Sequence, residues 1–303
     1  MSSQEKSRAA FLALIPAQLL FGSLPVIGKV VLAVIPPMGL VGIRVAITAL
    51  ILVTIQAFRR RLWLKEKGDY RRLALLSLFG VVFNQIFFIG GLSLTSASNT
   101  SLLAVMIPVF ALSVGSMAGF EKLTWVKVLG IVFAGIGVVL LIDPRKASFS
   151  SQTTIGDIFI IINCLAYGTY VATSKKVIVR NGTFRSMMWV FIFASVVCIP
   201  LGAMSLSSID LAAVPSNIWL ICIYIAIGAT AGSYLLNAWA LQKVDPSTVA
   251  VFVYLQPLIG FILAVIFLGE KIDFRFIIAA LLVFAGVFMT TRNRNATDVQ
   301  VIE

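Results

Sequence analysis

Two sets of polar side chains stand at helical spacing inside stretches that are otherwise apolar. Asn163, Tyr167, Tyr170 and Ser174 follow a 4-3-4 spacing, which puts them on one face of a helix. Thr230, Ser233, Tyr234 and Asn237, spaced 3-1-3, are also read as sharing a face, with Trp239 close by. Gln18 lies one turn before Gly22, Asn84 sits within a third apolar run, and Tyr254 and Gln256 lead into Pro257. Amides and phenols supply donors and acceptors but no group that ionises readily near neutrality. The chemistry they suit is reversible hydrogen bonding to a small polar or amphipathic solute. For each of them the alternative is a hydrogen bond between neighbouring helices, and for the tyrosines and the tryptophan a seat at the lipid interface.

Three cations add a second theme. Arg44 lies about seven residues into an apolar run, while Lys29 and Lys175 stand near run ends. They could capture a carboxylate or phosphate at the mouths of a cavity. Snorkelling explains the lysines equally, and a helix-terminus or carbonyl anchor explains Arg44. Bond-making chemistry has little support. The chain has no histidine, so it lacks the commonest general base and metal ligand. Cys164, Cys198 and Cys222 lie in apolar runs without CxxC spacing. Asp143, Asp157, Glu121, Glu270 and Asp273 all fall near run ends. Neither a metal nor a cofactor is expected, nor an enzyme. Proton coupling needs an ionisable group deep in an apolar setting, and no run carries an acidic residue at its centre, so proton-coupled chemistry is disfavoured.

The elements that must position these residues are membrane helices. The chain of 303 residues is 60% hydrophobic and 12% charged, about half the charge of a soluble domain. Its apolar runs are continuous and about 20 residues long, a length suited to helices and not to barrel strands. A first run from Ala9 to about Ile35 is too long for a leader peptide and is read as a span. Nine more follow, near 38–58, 73–94, 98–119, 124–142, 155–175, 186–206, 216–238, 247–268 and 273–291. With a cytoplasmic N-terminus, 18 Lys and Arg fall on the inner side and 5 on the outer. The basic stretch 59–72 carries many of the inner ones, and it suits anionic headgroups better than nucleic acid. Both termini are therefore expected in the cytoplasm.

The chain also repeats itself. Ser98, Pro108 and Glu121-Lys122 recur as Ser247, Pro257 and Glu270-Lys271, each 149 residues later. Gly137 matches Gly286, and Asn84 matches Ser233, at that offset. Phe21-Gly22-Ser23 with Lys29 matches Tyr167-Gly168-Thr169 with Lys175 at an offset of 146. Each copy holds five spans, so the second enters the membrane inverted, and such repeats place a substrate site near the midplane. Pro108 and Pro257 are expected to kink their helices as gates and to free carbonyls near Ala104 and Val253.

SASNTSLLAVMIPVFALSVGSMAGFEKLTWVKVLGIVFAGIGVVL (96–140) and STVAVFVYLQPLIGFILAVIFLGEKIDFRFIIAALLVFAGVF (247–288) resemble the paired EamA-type domains of the drug/metabolite transporter superfamily. GIRVAITALIL (42–52) resembles that family's second span, and GDIFIIINCLAYGTYVATSKK (156–176) its sixth. The resemblance implies an all-α integral membrane protein with ten helices, built as two inverted five-helix repeats, 1–146 and 147–303, around a central cavity. It further implies alternating-access export of small polar metabolites, amino acids above all, across a bacterial inner membrane. Exchange of anionic substrates such as sugar phosphates or nucleotide sugars is the alternative. The partners expected are a small-molecule substrate and the lipid bilayer, with no nucleic acid, and the chain acting as a monomer or weak dimer. One departure stands out: family members often carry Glu before the second central proline, where this chain has Gln256.

Overall fold

Pro36 and Pro37 end the first apolar run, and the chain restarts there as a helix with proline in its first turn, where no backbone donor is lost. The computed structural model describes residues 3–95, 97, 100, 103–104, 106–119, 124–142, 151–259, 263 and 274–292. Ser98, Glu121, Lys122, Glu270 and Lys271 of the repeated motif lie outside the described residues, as do Asp143, Arg145, Lys146 and Asp273. Among the described residues the regular structure is helical throughout.

The helices are α1 (Ser3–Leu32), α2 (Pro37–Phe58), α3 (Lys67–Ser77) and α4 (Asn84–Leu94), then α5 (Met106–Met117) and α6 (Trp125–Ile142). After them come α7 (Ser151–Asn181), α8 (Thr183–Leu206), α9 (Ser216–Ala226), α10 (Ser233–Leu241), α11 (Pro246–Val251) and α12 (Phe274–Arg292). Two pairs are continuous rods interrupted by a π-helical turn: Leu78–Phe83 joins α3 to α4, and Ile227–Gly232 joins α9 to α10. Among the described residues six helices are long and apolar enough to cross a membrane: Arg8–Leu32, Pro37–Phe58, Lys67–Leu94, Gln152–Asn181, Thr183–Leu206 and Ser216–Leu241. Met106–Met117, Trp125–Gly137 and Pro246–Ile259 are shorter apolar helices.

Small residues let these helices approach closely, as expected where apolar burial gives no driving force between them. α2 and α8 cross at Gly42 and Gly202, where a methyl group on Gly42 would lie 2.7 Å from the Gly202 Cα. α6 and α12 cross at Ala134 and Gly286 with a similar lack of room. α4 packs on α7, and α10 packs on α1. Large apolar side chains such as Leu12, Leu50, Val196, Leu220, Leu281 and Phe284 point outward and are exposed. A belt of this kind suits contact with lipid chains.

The basic connection between α2 and α3 is anchored by side chains of the α7–α8 turn. Trp189 Nε1 donates to the Leu62 carbonyl at 2.8 Å, and Arg185 Nε to the Arg61 carbonyl at 3.2 Å. Asn181 Oδ1 accepts from Lys65 N at 3.0 Å, while Arg180 pairs with Asp69 and Glu66. The turn itself is a single residue, Gly182, at φ 82°, a left-handed conformation that glycine adopts without a Cβ clash.

Candidate functional site

α1, α4, α7, α10 and the segment around Gln256 bring their polar residues to one level, and hydrogen bonds join them end to end. Gln256 Nε2 donates to Gln18 Oε1 at 2.8 Å. Gln18 Nε2 donates to Asn237 Oδ1 at 3.3 Å, and Asn237 Nδ2 to the Tyr167 hydroxyl at 3.0 Å. Side chains from the start, middle and end of the chain thus form one relay. Gln18 is fully buried, and Asn237 and Tyr167 nearly so.

Aromatic rings continue the layer. Tyr167 stacks on Tyr170 with centroids 6.0 Å apart and meets Tyr234 edge-on at 6.2 Å. Phe21 meets both Tyr167 and Tyr234 edge-on, at 6.3 and 5.7 Å, and Phe191 meets Tyr234 at 5.3 Å. These are favoured geometries for ring quadrupoles. The Tyr234 hydroxyl lies 2.8 Å from the Gly80 carbonyl and 2.7 Å from Asn84 Oδ1, and its one hydrogen serves one acceptor at a time. Gln85 Nε2 donates to the same oxygen at 3.5 Å. Asn163 Nδ2 donates to the Asn84 backbone carbonyl at 2.9 Å, and the Tyr170 hydroxyl to Met187 Sδ at 3.5 Å.

The π turns explain two of these contacts. A wider turn breaks the i to i−4 pattern and turns carbonyls aside for other partners. In the first turn the Gly80 carbonyl faces Tyr234, and the Tyr170 ring lies so close over Gly80 that a Cβ there would collide with it. In the second, Thr230 Oγ1 donates to the Ile225 carbonyl at 2.8 Å and accepts from Arg44 Nε at 2.9 Å. Thr48 Oγ1 donates to the Ala226 carbonyl at 3.2 Å.

Each of the two prolines follows a turn of tighter bonding. Pro108 lies in the first turn of α5, after a break at Ala104, and Ile107 N donates to the Ala104 carbonyl at 3.0 Å. Pro257 follows α11 and a 3₁₀ turn, Phe252–Tyr254. In both cases the chain tightens to i to i−3 bonding before the ring, so the Ala104 carbonyl is satisfied locally. Each proline segment also packs against a glycine of a long helix. A Cβ on Gly22 would meet Ile259 Cβ at 3.1 Å and Gln256 Cα at 3.2 Å, and one on Gly168 would meet Phe110 Cβ at 2.9 Å and the Ile107 carbonyl at 3.1 Å.

Other residues of interest lie apart from this layer. Ser233 Oγ is 3.2 Å from the Gly228 carbonyl and is spent on its own helix. Trp239 carries Lys243 Nζ over its ring at 4.3 Å. Tyr254 is buried in the 3₁₀ turn, and Lys29 is half-buried in the last turn of α1. Lys175 pairs with Asp245 at 3.3 Å, and Lys127 joins the same carboxylate at 3.6 Å. Asp157 is buried, with Thr95 Oγ1 donating to it at 2.6 Å. Gln85 and the Gly80 carbonyl enter the site without having been singled out, and Phe21 had been noted only as part of the repeat. The nearest sequence signal was the 149-residue offset, which relates the two π turns. Among the described residues no group of three or more His, Cys, Asp or Glu could hold a metal ion.

What the layer can do is exchange. Every amide and phenol described in it already has a protein partner, so a polar solute would replace existing hydrogen bonds rather than add new ones. Such swaps change the free energy by only about 1 kcal/mol each. That favours binding weak enough to release.

Known proteins resemble the chain over most of its length. The profile of the EamA-like transporter family matches residues 8–143 and again 154–292. An uncharacterized transporter of Archaeoglobus fulgidus is 27% identical over 268 residues, covering 88% of this chain and 92% of its own length. The WAT1-related protein At4g30420 of Arabidopsis thaliana is 27% identical over 254 residues, covering 73% of this chain and 66% of its own. A protein of known crystal structure superposes with a TM-score of 0.75 at 19% identity, over 94% of this chain and 97% of that one, which supports the fold.

Proposed function

The chain belongs to the EamA-like transporter family, and from that premise we propose that it is a secondary transporter exporting small polar metabolites, amino acids or related compounds above all, by alternating access. The observation that carries this is the closed layer of amides and tyrosines linking Gln256, Gln18, Asn237, Tyr167, Tyr234 and Asn84. Polar groups are expensive at membrane depth, and a continuous set drawn from five helices has a use if a solute borrows its hydrogen bonds in transit. The protein acts without catalysis.

The architecture we propose is ten spans in two inverted five-helix repeats, 1–146 and 147–303, with both termini in the cytoplasm of a bacterial inner membrane. Several contacts support the repeat. The π turns at 78–83 and 227–232 are 149 residues apart. The contact of Gly22 with Gln256 and Ile259 is matched by that of Gly168 with Ile107 and Phe110, at offsets of 146 and 149. Helix pairing has the same exchange: α4 on α7 matches α10 on α1, while α2 pairs with its counterpart α8 and α6 with α12. A two-fold relation produces this pattern. The family profile also matches twice, over two segments of similar length.

The test is counterflow in liposomes holding purified protein, with labelled amino acids, nucleobases and sugars, at two pH values. Exchange of at least one amino acid with little pH dependence is expected. A protein that moved none of the panel would end this reading, and strong pH dependence would overturn the preference against proton coupling.

A further inference from the structure

Arg44 carries a buried charge with no counter-ion among the described residues. It is 1% exposed, and its side chain turns inward to the second π turn instead of snorkelling. Nε is satisfied by Thr230 Oγ1, but Nη1 is buried and has no hydrogen-bond partner. The ion pairs of the described residues lie elsewhere, at Arg180 with Asp69 and Glu66, and at Lys127 and Lys175 with Asp245. A guanidinium that served only as an anchor would spend its donors on carbonyls. This one spends one and holds another in reserve, at a depth where an unpaired cation is costly.

We propose that Arg44 is the docking point for a carboxylate carried by the transported solute, so that the site selects carboxylate-bearing compounds over neutral sugars and bases. The proposal rests on the transporter reading above and narrows its substrate class. The geometry suits the task. Thr230, Tyr234 and Asn237 follow one another along one rod, and seven residues of helix span roughly 10 Å. A small solute with its carboxylate on the guanidinium therefore has its remainder against Tyr234, Tyr167 and Asn237, which supply rings and amides. A planar guanidinium can hold a carboxylate through two parallel bonds, which a lysine cannot do. Of the other two cations weighed for an anion, Lys175 is already paired with Asp245, and Lys29 lies in the last turn of α1. With Arg44 so fully buried, the solute reaches it only when α2 and the π turn separate, which an alternating-access cycle would provide.

The experiment compares alanine, serine, leucine and phenylalanine with their carboxamides, and with ribose and adenine, by counterflow into liposomes holding the full chain. Wild type is expected to favour the acids over the amides by roughly ten- to a hundredfold, the factor that one charged hydrogen-bond set confers. Arg44→Gln should bring the acids down to the level of the amides, and Arg44→Lys should keep part of the preference. If wild type moves amides, ribose or adenine as well as it moves the acids, or if Arg44→Gln keeps the acid preference, the carboxylate assignment is overturned while transport stands. If wild type moves none of these solutes, the transporter reading fails and takes the assignment with it. The wild-type comparison needs no variant, so an unstable Arg44→Gln leaves the proposal open to refutation.

Discussion

The π turns at Leu78–Phe83 and Ile227–Gly232 are the same backbone irregularity put to opposite uses. In the first, LFGVVF, the turn presents a bare acceptor: the Gly80 carbonyl receives the Tyr234 hydroxyl. In the second, IGATAG, the turn receives a cation: Thr230 accepts from Arg44 and passes its own hydrogen to Ile225. Each turn also takes its partner from the other half of the chain, Tyr234 reaching back to Gly80 and Arg44 reaching forward to Thr230. Two matched irregularities, 149 residues apart, thus offer hydrogen-bonding capacity to other helices, and the side chains around them leave one neutral and one charged. The backbone feature is shared, whereas the chemistry is local.

Four substitutions would sharpen or break that contrast. The largest effect is expected at Gly80, where the Tyr170 ring leaves no space for a Cβ. Gly80→Ala should cost about 3 kcal/mol through overpacking, seen as a clear drop in melting temperature in detergent. The counterpart position already holds Ala229, and Ala229→Gly should cost only about 1 kcal/mol through backbone entropy. Equal losses at the two positions would mean the turns are not packed differently. Next comes Thr230→Val, which removes the acceptor of a buried guanidinium and should cost about 2 kcal/mol, since bonds to charged groups are the stronger ones. Tyr234→Phe keeps the ring but removes the hydroxyl lying between the Gly80 carbonyl and Asn84 Oδ1, and should cost about 1 kcal/mol. Melting curves of both variants decide the order, and a larger loss for Tyr234→Phe would reverse the assignment of the charged and neutral pockets.

Much of the helix pattern could be read from the chain. Apolar runs, the Pro36-Pro37 break and the ordered EamA-type segments pointed to an all-helical member of that family. Helical spacing also picked out Asn163, Tyr167, Tyr234 and Asn237, which stand together in the structure. The spacing failed where the helix stops being regular. A π turn takes more than 3.6 residues, so Ser233, placed on one face with Tyr234, instead lies near its own Gly228 carbonyl. The carbonyl expected to be free near Ala104 is taken up locally, because the chain tightens to i to i−3 bonding ahead of Pro108. Long-range pairings such as Lys127 and Lys175 on Asp245, or Gln85 on Tyr234, depend on helix neighbours that no local spacing reveals.

The stapled connection after α2 has a consequence for handling the protein. Arg59, Arg60, Arg61 and Lys65, with Lys67 opening α3 directly after, make it the densest run of trypsin sites in the chain. A protease needs several residues drawn out and freed of their hydrogen bonds before it can cut. Here the carbonyls of Arg61 and Leu62 and the amide of Lys65 are held by Arg185, Trp189 and Asn181. The segment that looks most fragile on paper is therefore shielded for as long as the α7–α8 turn stays docked, and a nick within it marks molecules in which that turn has come away.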